Sequence, residues 1–211
     1  MLSRMDIDVE SIRSEVDKLI IYGRVLNLLA RCFTQDLDTL IPSLRELGEA
    51  LRLAGLESYV DDVRSLLDII KGNESVIEEY TRLFEFGDIS LYESDYVFDV
   101  TSPSKLYLKA DVSGFYKAFG LKHSGDLPDH ISAELEFLSF LFIKEAFALM
   151  EGDEDKIGLV RDARMKFWGE HLGSWYRKLV EKVKEKTDNE YYLKFFDLLA
   201  GILDSIFRDI L

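Results

Sequence analysis

Apolar residues recur three or four positions apart along most of this chain, the spacing of helices that bury one face. Ile12, Val16, Leu19, Leu26 and Leu29 mark a first long helix. Leu37, Leu40, Leu44, Leu47 and Leu51 mark a second, which tolerates Pro42 only near its first turn, where a missing N–H breaks no bond. Val63, Leu66, Leu67 and Ile70 give a third, stopped by Gly72, and a fourth runs from Ser75 with Ile77, Tyr80, Leu83 and Phe84 on one side. The spacing resumes at Leu106, Leu108, Val112, Phe115 and Phe119 and ends at Gly120. After a polar loop at 122–126, Pro128 opens a helix in which 11 of the 14 residues at 137–150 are apolar, so neighbours should wrap it on nearly every side. Ile157, Val160, Phe167, Leu172, Trp175 and Leu179 predict another long helix. Tyr192, Phe195, Phe196, Leu199, Ile202, Leu203 and Ile206 predict the last. The expected fold is all-α: a single domain over residues 1–211, with about eight helices around a central apolar one.

Between residues 87 and 104 the helical period fails. The segment GDISLYESDYVFDVTSPS mixes aromatic residues with turn formers and reads as an ordered loop, with strand conceivable only over 96–100. Loops this long inside a compact domain are uncommon and often functional. Residues 83–104 carry Glu85, Asp88, Glu93, Asp95 and Asp99 and no Lys or Arg, interleaved with Phe84, Phe86, Leu91, Tyr92, Tyr96 and Phe98. One reading is that the acids keep the loop solvated while the rings plug into the core. The other is a surface that pairs cations beside apolar area, suited to a peptide bearing arginine and leucine. Carboxylates without a nearby counter-charge repel one another, and a basic ligand relieves that repulsion.

Charge narrows the field of partners. Acidic residues outnumber basic ones 40 to 26, for a net charge of -14. Nucleic acid and anionic membrane surfaces are therefore poor partners, since both depend on Lys and Arg. The apolar run at 137–150 contains Lys144 and Glu145 and is too short to span a bilayer, and the acid-dotted N-terminus is no export signal. A soluble, cytoplasmic protein is the expectation. The single cysteine, Cys32, excludes an internal disulfide and falls in an apolar helical pattern, where a buried inert thiol is the default.

Catalytic chemistry finds little support. Pro128, Asp129 and His130 put a carboxylate beside an imidazole at a helix start. They serve either as a capped helix with Asp126 or Asp129 as the cap, or as an acceptor and a titratable donor for a ligand. A His-Asp phosphohydrolase needs further ligands on neighbouring helices, and the histidines are His123, His130 and His171 only. Glu170 and His171 are adjacent, so on a helix they face different directions. No Glu-x-x-His pair and no phosphate-binding glycine loop occurs. No catalytic residue, metal or other cofactor is predicted, and a metal- or nucleotide-dependent hydrolase on Asp129, His130 and His171 is the alternative. Trp168 and Trp175, seven apart, are expected on one helix face, as core.

Several motifs, in this order, resemble one family. They are Tyr92-Glu93-Ser94, then Tyr116-Lys117-Ala118-Phe119-Gly120-Leu121, then LPDHISAELEFL at 127–138. FWGEHLGSW at 167–175, with its His-Leu-x-x-Trp element, and Tyr191-Tyr192 follow. Over roughly residues 75–205 the chain is similar to the TorD/DmsD-type redox-enzyme maturation chaperones, which are related to the nitrate reductase delta subunit. The resemblance implies an all-helical protein that binds the twin-arginine leader and catalytic subunit of a molybdenum-cofactor oxidoreductase until the cofactor is inserted. Carried over by position, the implied leader-binding residues are Tyr80, Leu83, Phe84, Leu91, Tyr92, Glu93, Ser94, Pro128, Asp129 and His130. A leader with two guanidinium groups ahead of an apolar stretch needs carboxylates beside apolar surface, which Asp129, Glu93 and Asp95 would supply next to Leu83, Phe84 and Tyr92. Helix exchange across the 122–126 hinge would give a homodimer.

Overall fold

A computed structural model describes residues 4–71, 75–98, 104–122 and 127–208. The expected stop at Gly72, the end of the acidic loop with Asp99 and Pro103, His123, and the hinge with Asp126 lie outside the described residues. All regular structure within them is helical: α1 (Arg4–Arg31), α2 (Leu37–Leu53), α3 (Val60–Ile70), α4 (Ser75–Tyr80), α5 (Ser94–Val97), α6 (Ser104–Ala118), α7 (Ile131–Glu151), α8 (Glu154–Glu170), α9 (Leu172–Lys186) and α10 (Glu190–Arg208). Seven of them close into a ring of packed neighbours, in the order α1, α2, α3, α10, α9, α8, α7 and back to α1. Their inner faces share one continuous apolar core.

The α1–α7 pair is the most extensive contact, and Gly23 makes it close. A Cβ there would come within 2.9 Å of Ile143 and 3.0 Å of the Ser139 carbonyl oxygen. The first turns of α7 are wrapped as expected, with Ile131, Leu135, Leu138, Leu141 and Phe142 buried. Its last turns are not, since Phe147 is 55% and Met150 65% exposed. The charge inside this apolar helix, Glu145, is buried against the Arg164 guanidinium at 2.8 Å, with Arg161 at 2.7 Å on its other oxygen. A buried carboxylate persists only with such partners.

Four elements depart from the sequence pattern. Pro42 lies inside α2 rather than in its first turn, where it removes the bond to the carbonyl of Asp38, an exposed residue. The α4 helix continues as a π-helical turn, Thr81–Glu85. Residues 94–97 form the short α5, so the start of the conceivable 96–100 strand is helical. The long helix expected over 157–179 is cut in two at His171, where φ is -114° and ψ -108°. Gly173 permits that corner: a Cβ there would fall 2.6 Å from the Trp168 carbonyl oxygen and 2.7 Å from its ring. The two tryptophans therefore occupy different helices and do not form one stripe. Trp168 stacks on Phe207 at 3.6 Å, whereas Trp175 stacks on Tyr96 at 5.2 Å.

Candidate functional site

The acidic loop is stitched to the start of α7 by backbone bonds. Glu93 N–H donates to the Asp129 carbonyl and Ile131 N–H to the Leu91 carbonyl, both at 2.9 Å, which makes an antiparallel bridge between Tyr92 and His130. Asp129 Oδ2 accepts the Ser94 N–H at 3.1 Å, and the Tyr116 hydroxyl donates to the Pro128 carbonyl at 2.7 Å. With Asp129 drawn to the loop, the α7 cap falls to His130, whose Nδ1 accepts the Ser132 N–H at 3.2 Å. Pro128 stands ahead of the helix, not within its first turn.

This seam gathers Leu91, Tyr92, Glu93, Ser94, Pro128, Asp129 and His130. Leu91, Glu93, Ser94, Asp129 and His130 are buried, and Tyr92 and Pro128 half-buried. The carboxylate–imidazole adjacency at 129–130 is thus used to join two segments. Tyr80, Leu83 and Phe84 lie elsewhere in the chain, with Leu83 buried and Phe84 packed against α10. The Phe84 ring lies 5.1 Å from Tyr80, 5.8 Å from Tyr192 and 6.0 Å from Phe196. The space beside those rings is about 10 Å³, close to what a single water needs. Cys32 borders it, and burial pushes its thiol up to about 12, leaving it inert.

From the seam a line of polar groups runs through the interior. The Trp175 indole N–H donates to Glu134 Oε2 at 3.0 Å. Burial, and then the nearby Glu93 carboxylate, push the Glu134 carboxyl well above the usual carboxylate range. Glu93 reaches the α8–α9 corner, where Oε2 lies 3.0 Å and Oε1 3.3 Å from His171 Nδ1. A carboxylate only accepts, so this contact assigns a proton to Nδ1, and Nε2 faces Asp111 Oδ2 at 3.5 Å. Asp129 Oδ1, Glu134 Oε1 and His171 Nε2 are all buried without a hydrogen-bond partner among the described residues.

His171 Nε2 opens toward a cleft of about 620 Å³ bounded by α5, α6 and the α8–α9 corner. Its lining combines the acids Glu93, Asp111 and Glu170 with the apolar residues Val97, Phe98, Tyr107 and Leu108. Ser104, Tyr107, Leu108 and Asp111 lie at i, i+3, i+4 and i+7 of α6, one face turned to the cleft. Leu106, expected in the buried stripe, is instead exposed, on the side of α6 turned away from this face. The corner at His171 also brings Glu170 and His171 to a common point with Asp111, although adjacent residues within one helix would diverge.

The loop acids find counter-charges on other helices. Asp95 pairs with Lys105 at 2.5 Å, Asp88 with Lys186 at 3.7 Å, and Lys178 Nζ donates to the Tyr96 carbonyl at 3.3 Å. Partial burial raises the Asp95 carboxyl, but the hydrogen bonds from Lys105 and Ser90 outweigh it and hold the group below its ordinary value. The carboxylates facing the cleft are those of Glu93, Asp111 and Glu170. Sequence reasoning missed Asp111 and Glu170 as site residues, because lone acids on helices read as solvent-facing. The available signal was the i, i+3, i+4, i+7 stripe of α6, whose Tyr107 and Leu108 exceed what a water-facing surface needs.

The family model for the nitrate reductase delta subunit matches residues 34–181, a span that holds the seam, the cleft and the α8–α9 corner. The chain is 31% identical over 135 residues to the selenate reductase assembly chaperone protein of Thauera selenatis, covering 61% of this chain and 67% of that one. It is 30% identical over 125 residues to the perchlorate reductase assembly chaperone protein of Dechloromonas aromatica (strain RCB), covering 58% of this chain and 54% of that relative. The chlorate reductase assembly chaperone protein of Ideonella dechloratans is 28% identical over 170 residues, 74% of this chain and 85% of its own. A match of this extent, carrying the motifs at 92–94, 127–138 and 167–175, makes the chain a member of the nitrate reductase delta subunit family, as its TorD-type resemblance implied.

Proposed function

We propose that the protein is an assembly chaperone for a molybdenum-cofactor reductase, acting in the cytoplasm without a catalytic step of its own. It holds the catalytic subunit, including its twin-arginine leader, until the cofactor is in place. The names of the three relatives support the chaperone role, and the cleft supports the leader role. The observation that carries the latter is a cleft lined by carboxylates and apolar side chains together. A leader guanidinium would meet Asp111 and Glu170, and the apolar stretch after it would lie on Tyr107, Leu108 and Val97. Both carboxylates are more than half exposed, so each such ion pair contributes about 0.2–1 kcal/mol.

In this reading Asp129 and His130 position the site. The Asp129 bond to Ser94 and the Tyr92–His130 bridge fix the loop that carries Glu93, His130 caps α7, and Glu93 in turn orients His171. The hydrolase alternative is not favoured, because the 129–130 pair is committed to these packing contacts.

Calorimetry with a synthetic twin-arginine leader peptide tests the proposal. Binding should weaken by up to about fivefold when Asp111→Asn or Glu170→Gln is introduced, and by more when both leader arginines become glutamine. Undetectable binding, or binding indifferent to all of these changes, overturns the leader reading.

A further inference from the structure

His171 is 3% exposed, and its Nε2 makes no hydrogen bond among the described residues. That atom faces another cleft-lining residue, Asp111, whose Oδ2 stands 3.5 Å away. With Nδ1–H engaged by Glu93, two electron-rich atoms face one another there, a repulsive arrangement unless a cation or a proton lies between them. Glu170 adds a third donor: one ligand atom from each of Asp111, Glu170 and His171 falls within 4.8 Å of the other two.

These dimensions suit a small cation. Zinc-like ions hold imidazole nitrogen and carboxylate oxygen at about 2.0–2.2 Å, which sets neighbouring ligand atoms roughly 3–3.5 Å apart. Asp111 and Glu170 are exposed side chains and can close that difference by rotation. Glu170 is otherwise engaged only loosely, by Lys166 at 3.8 Å, an exposed pair of little strength. The nitrogen ligand argues against magnesium and calcium, which prefer oxygen throughout.

We propose that Asp111, Glu170 and His171 form a binding site for a divalent transition ion of the zinc class, with Glu93 orienting the imidazole from behind. A ligating histidine whose other ring N–H is held by a carboxylate is the arrangement that fixes both tautomer and ring direction at metal centres. The buried, oriented histidine separates this cluster from the acids scattered over the rest of a chain with 40 of them. Three protein ligands leave further positions to water or to a donor from a bound partner, reached through the open cleft. The site stands whether or not a leader peptide uses the same cleft.

The test uses the full chain, stripped of metal with a chelator. Cobalt(II) is titrated in with visible absorption as the readout, and zinc(II) with calorimetry. One ion per chain is expected at micromolar metal, with visible cobalt bands and paramagnetic broadening of the His171 ring resonances. Asp111→Asn and Glu170→Gln, both at exposed positions, should each weaken binding about ten- to hundredfold while the helical circular dichroism is unchanged. Absence of one-to-one binding overturns the proposal. So does binding of equal strength in both variants, which would put the ion elsewhere on this acidic surface, or cobalt that leaves the His171 resonances sharp.

Discussion

Glu93 and His171, 78 residues apart in the chain, meet at 3.0 Å with both side chains shut away from solvent. One comes from the loop that breaks the helical pattern, the other from the corner that divides α8 from α9. Their contact therefore ties the two irregular segments of the fold together and sets the ring whose other edge faces the cleft. A buried partner of this kind is worth more as orientation than as net stability, because both groups were desolvated to form it.

Breaking that pair from one side should be severe. His171→Ala leaves the Glu93 carboxylate buried with Glu134 as its near neighbour, and a loss of about 3–5 kcal/mol is expected in urea unfolding. Glu93→Gln in the same chain removes the stranded charge. The double variant should then be more stable than the sum of the two single losses predicts, by about 1 kcal/mol or more. Additive losses would mean that the two side chains do not interact across the corner.

The glycines of α8 and α9 should respond in opposite directions. Gly173→Ala pushes a methyl into the Trp168 carbonyl and ring, so a loss of about 1–3 kcal/mol is expected. At Gly169 an added Cβ meets nothing within 4 Å and the backbone is helical, so alanine should raise stability by up to about 1 kcal/mol. Thermal melts of the two variants decide it, and a shift of the same sign in both would contradict the corner geometry.

Most helices were legible because burial imposes a period on the sequence, and that period survives wherever one face packs. The break at His171 was invisible for the same reason: Leu172, Trp175 and Leu179 keep the apolar spacing of the preceding helix, while the cut is made by the packing of Gly173 on Trp168. Asp129 and His130 stood out at a helix start, but which of them caps could not be read. The answer depends on Ser94, 35 residues earlier, claiming the Asp129 carboxylate. Of the cleft, Glu93 was visible as an acid in an irregular loop, and His171 as part of a family motif. Asp111 and Glu170 were hidden, because an acid on a helix looks the same whether it faces water or a partner.

The pH dependence of stability should carry the mark of Glu134. Its folded carboxyl is held well above the ordinary range by burial and by Glu93, while in the unfolded chain it titrates near about 4.3. Between those two values the folded state binds the extra proton, so stability from this group is fully present at acid pH and falls as pH rises through the window. The slope is at most about 1.4 kcal/mol per pH unit for one proton. Glu134→Gln removes the titration yet keeps a carbonyl oxygen for the Trp175 N–H and gives Glu93 an amide donor. The variant should gain on the parent as pH rises from about 4.3 toward the folded value of Glu134, in paired urea titrations. Asp95, held below its ordinary value, acts in the opposite sense, with stability lost as pH falls through its folded value; that lies well under this window and leaves the comparison clean. A stability difference that stays flat across the range would show that Glu134 is ionised in the folded protein and that the interior line from Trp175 to His171 carries its charge differently.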